Sequence, residues 1–301
     1  MTIVFKPLRT ILFTHYPFSQ YQNILMQKIL LIILTGLTIQ SFSQLPAFEL
    51  PSYHRAISNE GRPIPHRYLG ESHVKFSKRI HRIIDGRQKQ NKNITWPKNP
   101  LNTIIWTAVT KGYPETGQPV AYRNDSLSST MTVQEVCAKA SDSIVVPIYD
   151  PVTQSTTNTL VPNPFDPSTI KKFRLMEDWI FDAQHSDLKP RIIAIAPLYN
   201  MTSQSGVPLG EAELFWVKMD ELRPILAQQE IFNKRNDAAR LSYDHWFEMR
   251  LFASHIVKES NVYDLDIAYQ EVFRDDGVEA LLESDRIKND LFVMEHDLWE
   301  Y

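Results

Sequence analysis

Residues 170–181 read IKKFRLMEDWIF, residues 191–197 RIIAIAP and residues 213–219 ELFWVKM. Each is a short apolar-rich run, the pattern of a strand. In the first, Lys171, Phe173, Leu175 and Glu177 alternate unevenly with Lys172, Arg174, Met176 and Asp178. The second ends at Pro197, and proline suits a strand terminus. The 15 residues from Leu198 to Ala212 carry no helical pattern. Parallel neighbours need a crossover of a dozen or more residues, usually a helix, so these connections favour an antiparallel meander.

Helical signals follow the meander. Pro224 suits a helix start, with Ile225, Leu226, Ile231 and Phe232 as apolar positions. Ser242 can cap a helix that runs to about residue 260, with Asp244 favourable in its first turn. Trp246, Met249, Ala253 and Ile256 would line one face of it, beside Phe247 and Leu251. Asp276-Gly277 precedes a third helix, with Val278, Leu281 and Leu282 toward the core. Trp246 and Phe252, with Trp299 and Tyr301 near the end, are the expected buried or interfacial aromatics; at helical spacing, packing is the default. The fold class is therefore α+β: an antiparallel β-meander followed by a helical C-terminal region, residues 169–301, preceded by an extended N-terminal arm.

Residues 44–95 are that arm, marked by Pro46, Pro51, Pro63 and Pro65 and by basic charge. Within it, Phe76, Ile80, Ile83 and Ile84 fit one face of a short helix ended by Gly86. Lys75, Lys78, Arg79 and Arg82 fill the other face and continue into Arg87, Lys89 and Lys92. Such a run is either a solvated face or a docking arm for an acidic surface. Residues 96–146 form a small helical or mixed subdomain. Leu101, Ile104, Ile105, Ala108 and Val109 make a helical stripe, 120–123 a short strand, and Thr132 with Glu135 a capping box that opens a helix through Ala140. Residues 147–168 hold five prolines among Ser, Thr and Asn, the composition of a loop or linker.

The 301 residues suffice for one large or two modest domains. Pro 19 against Gly 9 points to stiff connections and few phosphate-cradling turns. A net charge of -3 does not suit a nucleic-acid binder. Met26-Gln27-Lys28, the apolar run Ile29 to Ile39 and the small residues Ser41 and Ser43 read as a signal peptide cut after Ser43. Residues 1–43 are thus an export signal with an over-extended start, the true start being Met26. The alternative, an uncleaved anchor, meets a run too short to span a bilayer comfortably. Cleavage removes Lys6, Arg9 and Lys28 and no acid, leaving a mildly acidic chain of about −6. No cysteine follows the apolar run to accept a lipid, and Cys137, the single cysteine, is expected to be buried in its helix.

Catalytic signatures do not emerge. G-x-S-x-G, G-x-x-x-x-G-K-[ST] and H-E-x-x-H are all missing. His66/His73 and His245/His255 lack metal-ligand spacing. Asp264 and Asp266 begin like a calcium loop, but Ala268 stands where a third oxygen ligand belongs. The carboxylate pairs Glu295/Asp297 and Asp285/Asp290 lie in an acid-rich stretch where solvated charge is the default. The sequons at Asn93 and Asn200 carry weight only in a eukaryotic secretory context. No catalytic, cofactor-binding or metal-binding residue is assigned. What stands out is charge: ten Lys/Arg against three Asp/Glu from His54 to Lys92, and twelve Asp/Glu against three Lys/Arg from Asn261 to Tyr301. Opposite patches of this kind can meet within one molecule or on a neighbouring copy, where a head-to-tail contact makes rings or filaments.

Several blocks also come in a distinctive order. They are 179–186 (WIFDAQHS), 191–197, 214–217 (LFWV), Arg223-Pro224, 230–233 (EIFN), 236–240 (NDAAR), 258–264 (KESNVYD) and 295–301 (EHDLWEY). In these the chain resembles the gliding-motility protein family GldN, called PorN in a non-gliding relative, of the type IX secretion system. The likeness is expected over most of the mature chain, most strongly from about residue 170. It implies a non-enzymatic periplasmic subunit that forms a large ring under the outer membrane with a lipoprotein, GldK or PorK. It also implies a link to the inner-membrane motor protein GldM or PorM; no nucleic-acid partner is expected from the net charge of -3. The reading from another class is a periplasmic hydrolase of cell-wall or polysaccharide substrate.

Overall fold

The computed structural model describes residues 61–297 apart from 142, 151–154, 163–164, 203–207, 237 and 275. The signal peptide, the arm before residue 61, and Trp299 and Tyr301 lie outside the described residues. In chain order the elements are β1 (Val74–Asp85), α1 (Leu101–Thr110), β2 (Ala121–Tyr122), β3 (Thr130–Met131), α2 (Val133–Ala140), β4 (Ser143–Asp150) and β5 (Ser155–Pro162). Then follow β6 (Lys172–Asp182), β7 (Asp187–Thr202), β8 (Pro208–Glu213), β9 (Trp216–Lys218), α3 (Met219–Gln228), β10 (Glu230–Ile231), β11 (Leu241–Ser242), α4 (Tyr243–Glu248), β12 (His255–Glu259) and α5 (Gly277–Asp297).

The meander read from β6, β7 and β9 is the middle of an eight-stranded sheet in the order β12-β1-β6-β7-β9-β2-β3, with β8 also on β7. All its pairings are antiparallel. Opposed residues of antiparallel strands share a face. Ile84 pairs with Phe173, Phe173 with Pro197, and Ile195 with Val217, so one face is an apolar floor. The helices α1, α3 and α4 lie on it: Ile104, Ile105, Leu222, Leu226, Tyr243 and Trp246 join Phe173 and Ile195 in one core. Opposite, Met176, Ala194, Ala196, Trp216 and Tyr122 form a thinner apolar layer.

The segment 76–84 is a strand, not the helix its spacing suggested. Phe76, Ile80 and Ile84 are four apart, a spacing that both periods accommodate; β-branched isoleucines at 80, 83 and 84 tip the balance toward strand. The described part of the arm is therefore built into the sheet between β12 and β6. Residues 61–70 stay irregular, tied down where Arg223 Nη2 donates to the Ile64 carbonyl (2.6 Å) and Arg191 Nη2 to that of Arg67 (2.7 Å), and 86–95 form turns after the strand. Gly61 passes so near α3 that a Cβ there would meet the Ala227 carbonyl oxygen at 2.2 Å.

Other expectations also shift. The helix from Ser242 stops at Glu248, and the chain then turns into β12. The stop is a Schellman turn: Leu251 N–H reaches the Trp246 carbonyl, Arg250 N–H that of Phe247, and Arg250 sits left-handed at φ 51. An arginine in the glycine position hides the stop from a sequence reading. Pro224 lies inside α3 rather than opening it, and the expected strand 213–219 is divided between β8 and β9. In the Pro-rich stretch, part of β4 pairs with β5 as a hairpin, and apolar residues on both sides of it share the core that contains Leu101 and Phe173. Cys137 is exposed, because only Val136 and Ala140 of α2 turn inward. Its capping box forms as read, with Thr132 N–H donating to Glu135 Oε2 (2.8 Å).

The largest departure is α5. Val278, Leu281 and Leu282 face outward, and the helix packs instead through Ile287 and Leu291 against Ile80 and Ile256. It also protects the sheet edge: Ser284 Oγ accepts the outward N–H of Ile256 (2.9 Å), a donor that an open edge strand would leave unpaired.

Candidate functional site

The chain buries charge on both faces of its sheet. On the helical face Glu177 is fully buried, and Arg82, also buried, lies with Nε 3.1 Å from its Oε2. Arg250 reaches the same carboxylate, Nη1 to Oε1 and Nη2 to Oε2 at 3.1 Å each. Both guanidinium groups flank the Trp179 ring, at 5.6 and 5.7 Å from its centroid, and the Trp179 indole N–H donates to Glu177 Oε2. Two cations around one carboxylate leave a net positive pocket in low dielectric. Burial drives the Arg82 pKa down while Glu177 pulls it back. A cleft of about 410 Å³ opens here, lined by Arg82, Trp179, Arg250, Phe252, Lys288 and Phe292.

On the other face Arg174 forks onto Asp266 (2.6 and 2.9 Å) and reaches Glu213 (2.9 Å). Lys258 holds Asp264 at 2.6 Å and depresses its carboxyl. Beside them His81 is buried edge-on against Trp216. Burial first, then Arg174 and Lys258, push its pKa down to about 4. The imidazole is thus neutral at physiological pH and serves packing. A third buried pair, Arg223 Nε to Asp244 Oδ1 at 2.8 Å, locks α3 to α4.

These arrangements are structural ion pairs. Among the described residues no group of three His, Cys, Asp or Glu side chains is placed to hold a metal ion. Asp264 and Asp266, the suggested start of a calcium loop, are drawn to two different cations. His66 meets Glu248 while His73 ends a turn before β1, so the histidine pairs do not converge. Of the aromatics singled out, Trp246 and Phe252 are buried, packed edge-on or tilted against Phe247 and each other in the core. The basic run meets acids, but mostly those of the sheet: Arg79 pairs with Asp178, Arg82 with Glu177 and Lys78 with Glu259. Glu177 was legible as an acid in an apolar strand, yet nothing in the sequence said which cations would surround it.

The unspent chemistry lies on the surface. Val278, Leu282 and Phe292 of α5 are 65%, 62% and 64% exposed. At about 100° per residue they share one side of the helix with Leu281 and Val293, opposite Ser284, Ile287 and Leu291. Among the described residues no helix is long and apolar enough to cross a membrane. A second apolar area is a groove of about 540 Å³ lined by Phe232, Leu241, Trp246, Met249 and Leu251, with Lys234 and Arg235 at its rim. No curated protein matches the chain. The family described as gliding motility associated protein GldN matches residues 69–300, and the chain accordingly belongs to the GldN family, a component of gliding motility and type IX secretion.

Proposed function

We propose that this chain is a non-enzymatic structural subunit of the secretion and gliding machinery, working in the periplasm against the inner face of the outer membrane. It assembles there into a large ring with a lipoprotein of the GldK or PorK kind and meets an inner-membrane motor protein of the GldM or PorM kind. The family match over residues 69–300 carries this reading. The export signal read at Met26 to Ser43 and the exposed apolar side of α5 are in keeping with it. The buried charges support it in a further way. In each large ion cluster the charges are paired with one another within the chain, which suits a rigid building block better than a site awaiting substrate.

Deletion of the gene tests the proposal. Secretion of many unrelated cargo proteins should fail together, and the chain should be recovered with a lipoprotein as an assembly far larger than 35.0 kDa. Loss of one degradative activity on cell-wall or polysaccharide substrate, with secretion intact, would favour a hydrolase instead.

A further inference from the structure

We infer that two surfaces of this chain are complementary: the acidic, apolar flank formed by residues 269–285 of one copy sits in the basic-rimmed groove at residues 232–251 of the next. The inference rests on the self-assembly reading above and names the contact that would carry it.

The first surface exposes Tyr269, Val272, Val278, Leu281 and Leu282. Its exposed acids are Glu271, Asp276, Glu279 and Asp285, Glu283 being half-buried and paired with Arg286 and Asp275 adding a further acid in sequence, against Arg274 as the one cation of the stretch. Asp276 is engaged in capping α5, accepting from Val278 N–H at 2.7 Å. Asp285 lies in the middle of the apolar side, by the same helical arithmetic used above. The second surface exposes Phe232, Met249 and Leu251 over buried Trp246. Its rim is cationic: Lys234 and Arg235 line it, and Lys89 and Lys92 flank its lining residues Gln90 and Asn93. Lys234 is held in place by the carbonyls of Lys89 and Gln90 at 2.8 and 2.9 Å, so the positive charge is fixed at the rim. In sequence the loop 232–241 adds Arg240, paired with Glu230, and Asp237.

An amphipathic helix laid into an apolar groove is a recurrent recognition mode, and opposite charge around it selects orientation and partner. Position within the fold turns this complementarity into an intermolecular one. The groove borders the cleft that holds Lys288 and Phe292, the C-terminal half of α5, since Gln90 lines both. The acidic flank is at the other end of the same helix. From Leu281 to Phe292 a helix advances roughly 16 Å at 1.5 Å per residue, so the flank cannot fill its own chain's groove. Two unlike surfaces that satisfy each other only between copies make a heterologous contact, which propagates into a ring or filament.

Sedimentation velocity of the purified chain, with and without its lipoprotein partner and at low and high salt, tests the contact. Lys234→Glu with Arg235→Glu, and separately Glu271→Lys with Asp285→Lys, should each weaken self-association at least 10-fold while the melting curve is kept. A chain carrying all four reversals should associate again, a rescue that structural damage would not give. Should a reversed variant unfold, the neutral pair Lys234→Gln and Arg235→Gln takes its place, with weaker association expected. Wild-type assembly that none of these changes disturbs overturns the contact and leaves the ring reading standing. Groove variants that lose the lipoprotein but still self-associate also overturn it, by giving the groove to the other partner. A chain that stays monomeric at every concentration, alone and with the lipoprotein, removes the ring reading and the contact together.

Discussion

The two C-terminal helices α4 and α5 are both rich in large apolar residues, and the fold uses them in opposite ways. Over its six residues α4 buries Tyr243, Trp246 and Phe247, and its charged Asp244 is sealed against Arg223. Over 21 residues α5 buries Ser284, Ile287 and Leu291 and presents Val278, Leu281, Leu282, Phe292 and Val293 to solvent. A short helix wholly inside the core needs tertiary packing to exist at all, because isolated helices below about 12 residues are marginal. A long helix with two apolar sides has one side to spare. Hydrophobic content alone therefore says little about which residues stabilise the chain and which are held for a partner.

The sharpest break in that comparison should come from α4. Trp246→Ala removes a fully buried indole packed against Phe247 and Phe252. A loss of about 4 kcal/mol is expected in urea denaturation. Ile287→Ala, on the buried side of α5, should cost about half that, because its cluster is small and lies at the sheet edge. Equal losses at the two positions would mean that α5 is as much a part of the core as α4.

The seam between the two helices is the next place to press. Glu177 lies beneath it, holding Arg250 just after α4 and Arg82 on the strand that α5 packs against. Glu177→Ala leaves the buried Arg82 and the half-buried Arg250 without a counter-charge, and about 3 kcal/mol of stability should go. Arg250→Gly gives a finer reading. It relieves a left-handed arginine, a strain of roughly 1 kcal/mol, but removes an ion pair and a cation–π contact with Trp179. If Arg250→Gly melts above the wild type, that ion pair contributes less than the strain it holds in place.

A control sits on the far face of the sheet, beneath neither helix. His81 has a folded pKa near 4 against an ordinary 6.5, so between these values the unfolded chain binds more protons. Its contribution to stability is complete above about pH 6.5 and is lost as pH falls toward 4, by roughly 3 kcal/mol at most. Below that window Asp264, depressed by Lys258, begins to lose its own share. Denaturation curves of wild type and His81→Gln at pH 7 and pH 4.5 should diverge at neutral pH and draw together in acid. A constant gap at both values would show that His81 is not the group that titrates.

Much of this architecture could be read from residues alone, where a local rule had a single solution. The run at β6, the stripe of α1 and the capping box of α2 stand where they were expected, and the run at 191–197 lies in β7, which extends beyond it at both ends. Failures cluster where one local pattern admits two structures. Phe76, Ile80 and Ile84 satisfy a helix as well as a strand; the β-branched isoleucines lean toward strand, and pairing with both β6 and β12 decides it. Arg250 ends α4 in a conformation that glycine usually marks. Val278, Leu281 and Leu282 looked like a core face because nothing in a single chain distinguishes an apolar side meant for the interior from one meant for a neighbour. The bipolar charge was visible too, but Lys78, Arg79 and Arg82 of its basic half are consumed by Glu259, Asp178 and Glu177 inside the sheet.

That ambiguity sets the last and smallest prediction for stability, and the one that separates the two helices most cleanly. Leu281→Gln with Leu282→Gln replaces two exposed leucines on a helix whose packing runs through the opposite side. Surface changes of this kind usually alter stability by less than about 0.5 kcal/mol, and both leucine and glutamine are good helix formers. The melting curve should therefore scarcely move, whereas self-association, followed by light scattering, should fall steeply. The matching change on α4 has no such split, since Trp246 cannot be altered without loosening the core. If the double glutamine variant unfolds early instead, the outer side of α5 is covered within the chain itself. The difference between the helices would then be one of degree. If it folds and still assembles like the wild type, those leucines serve neither the core nor a neighbouring copy, and another surface must hold the assembly.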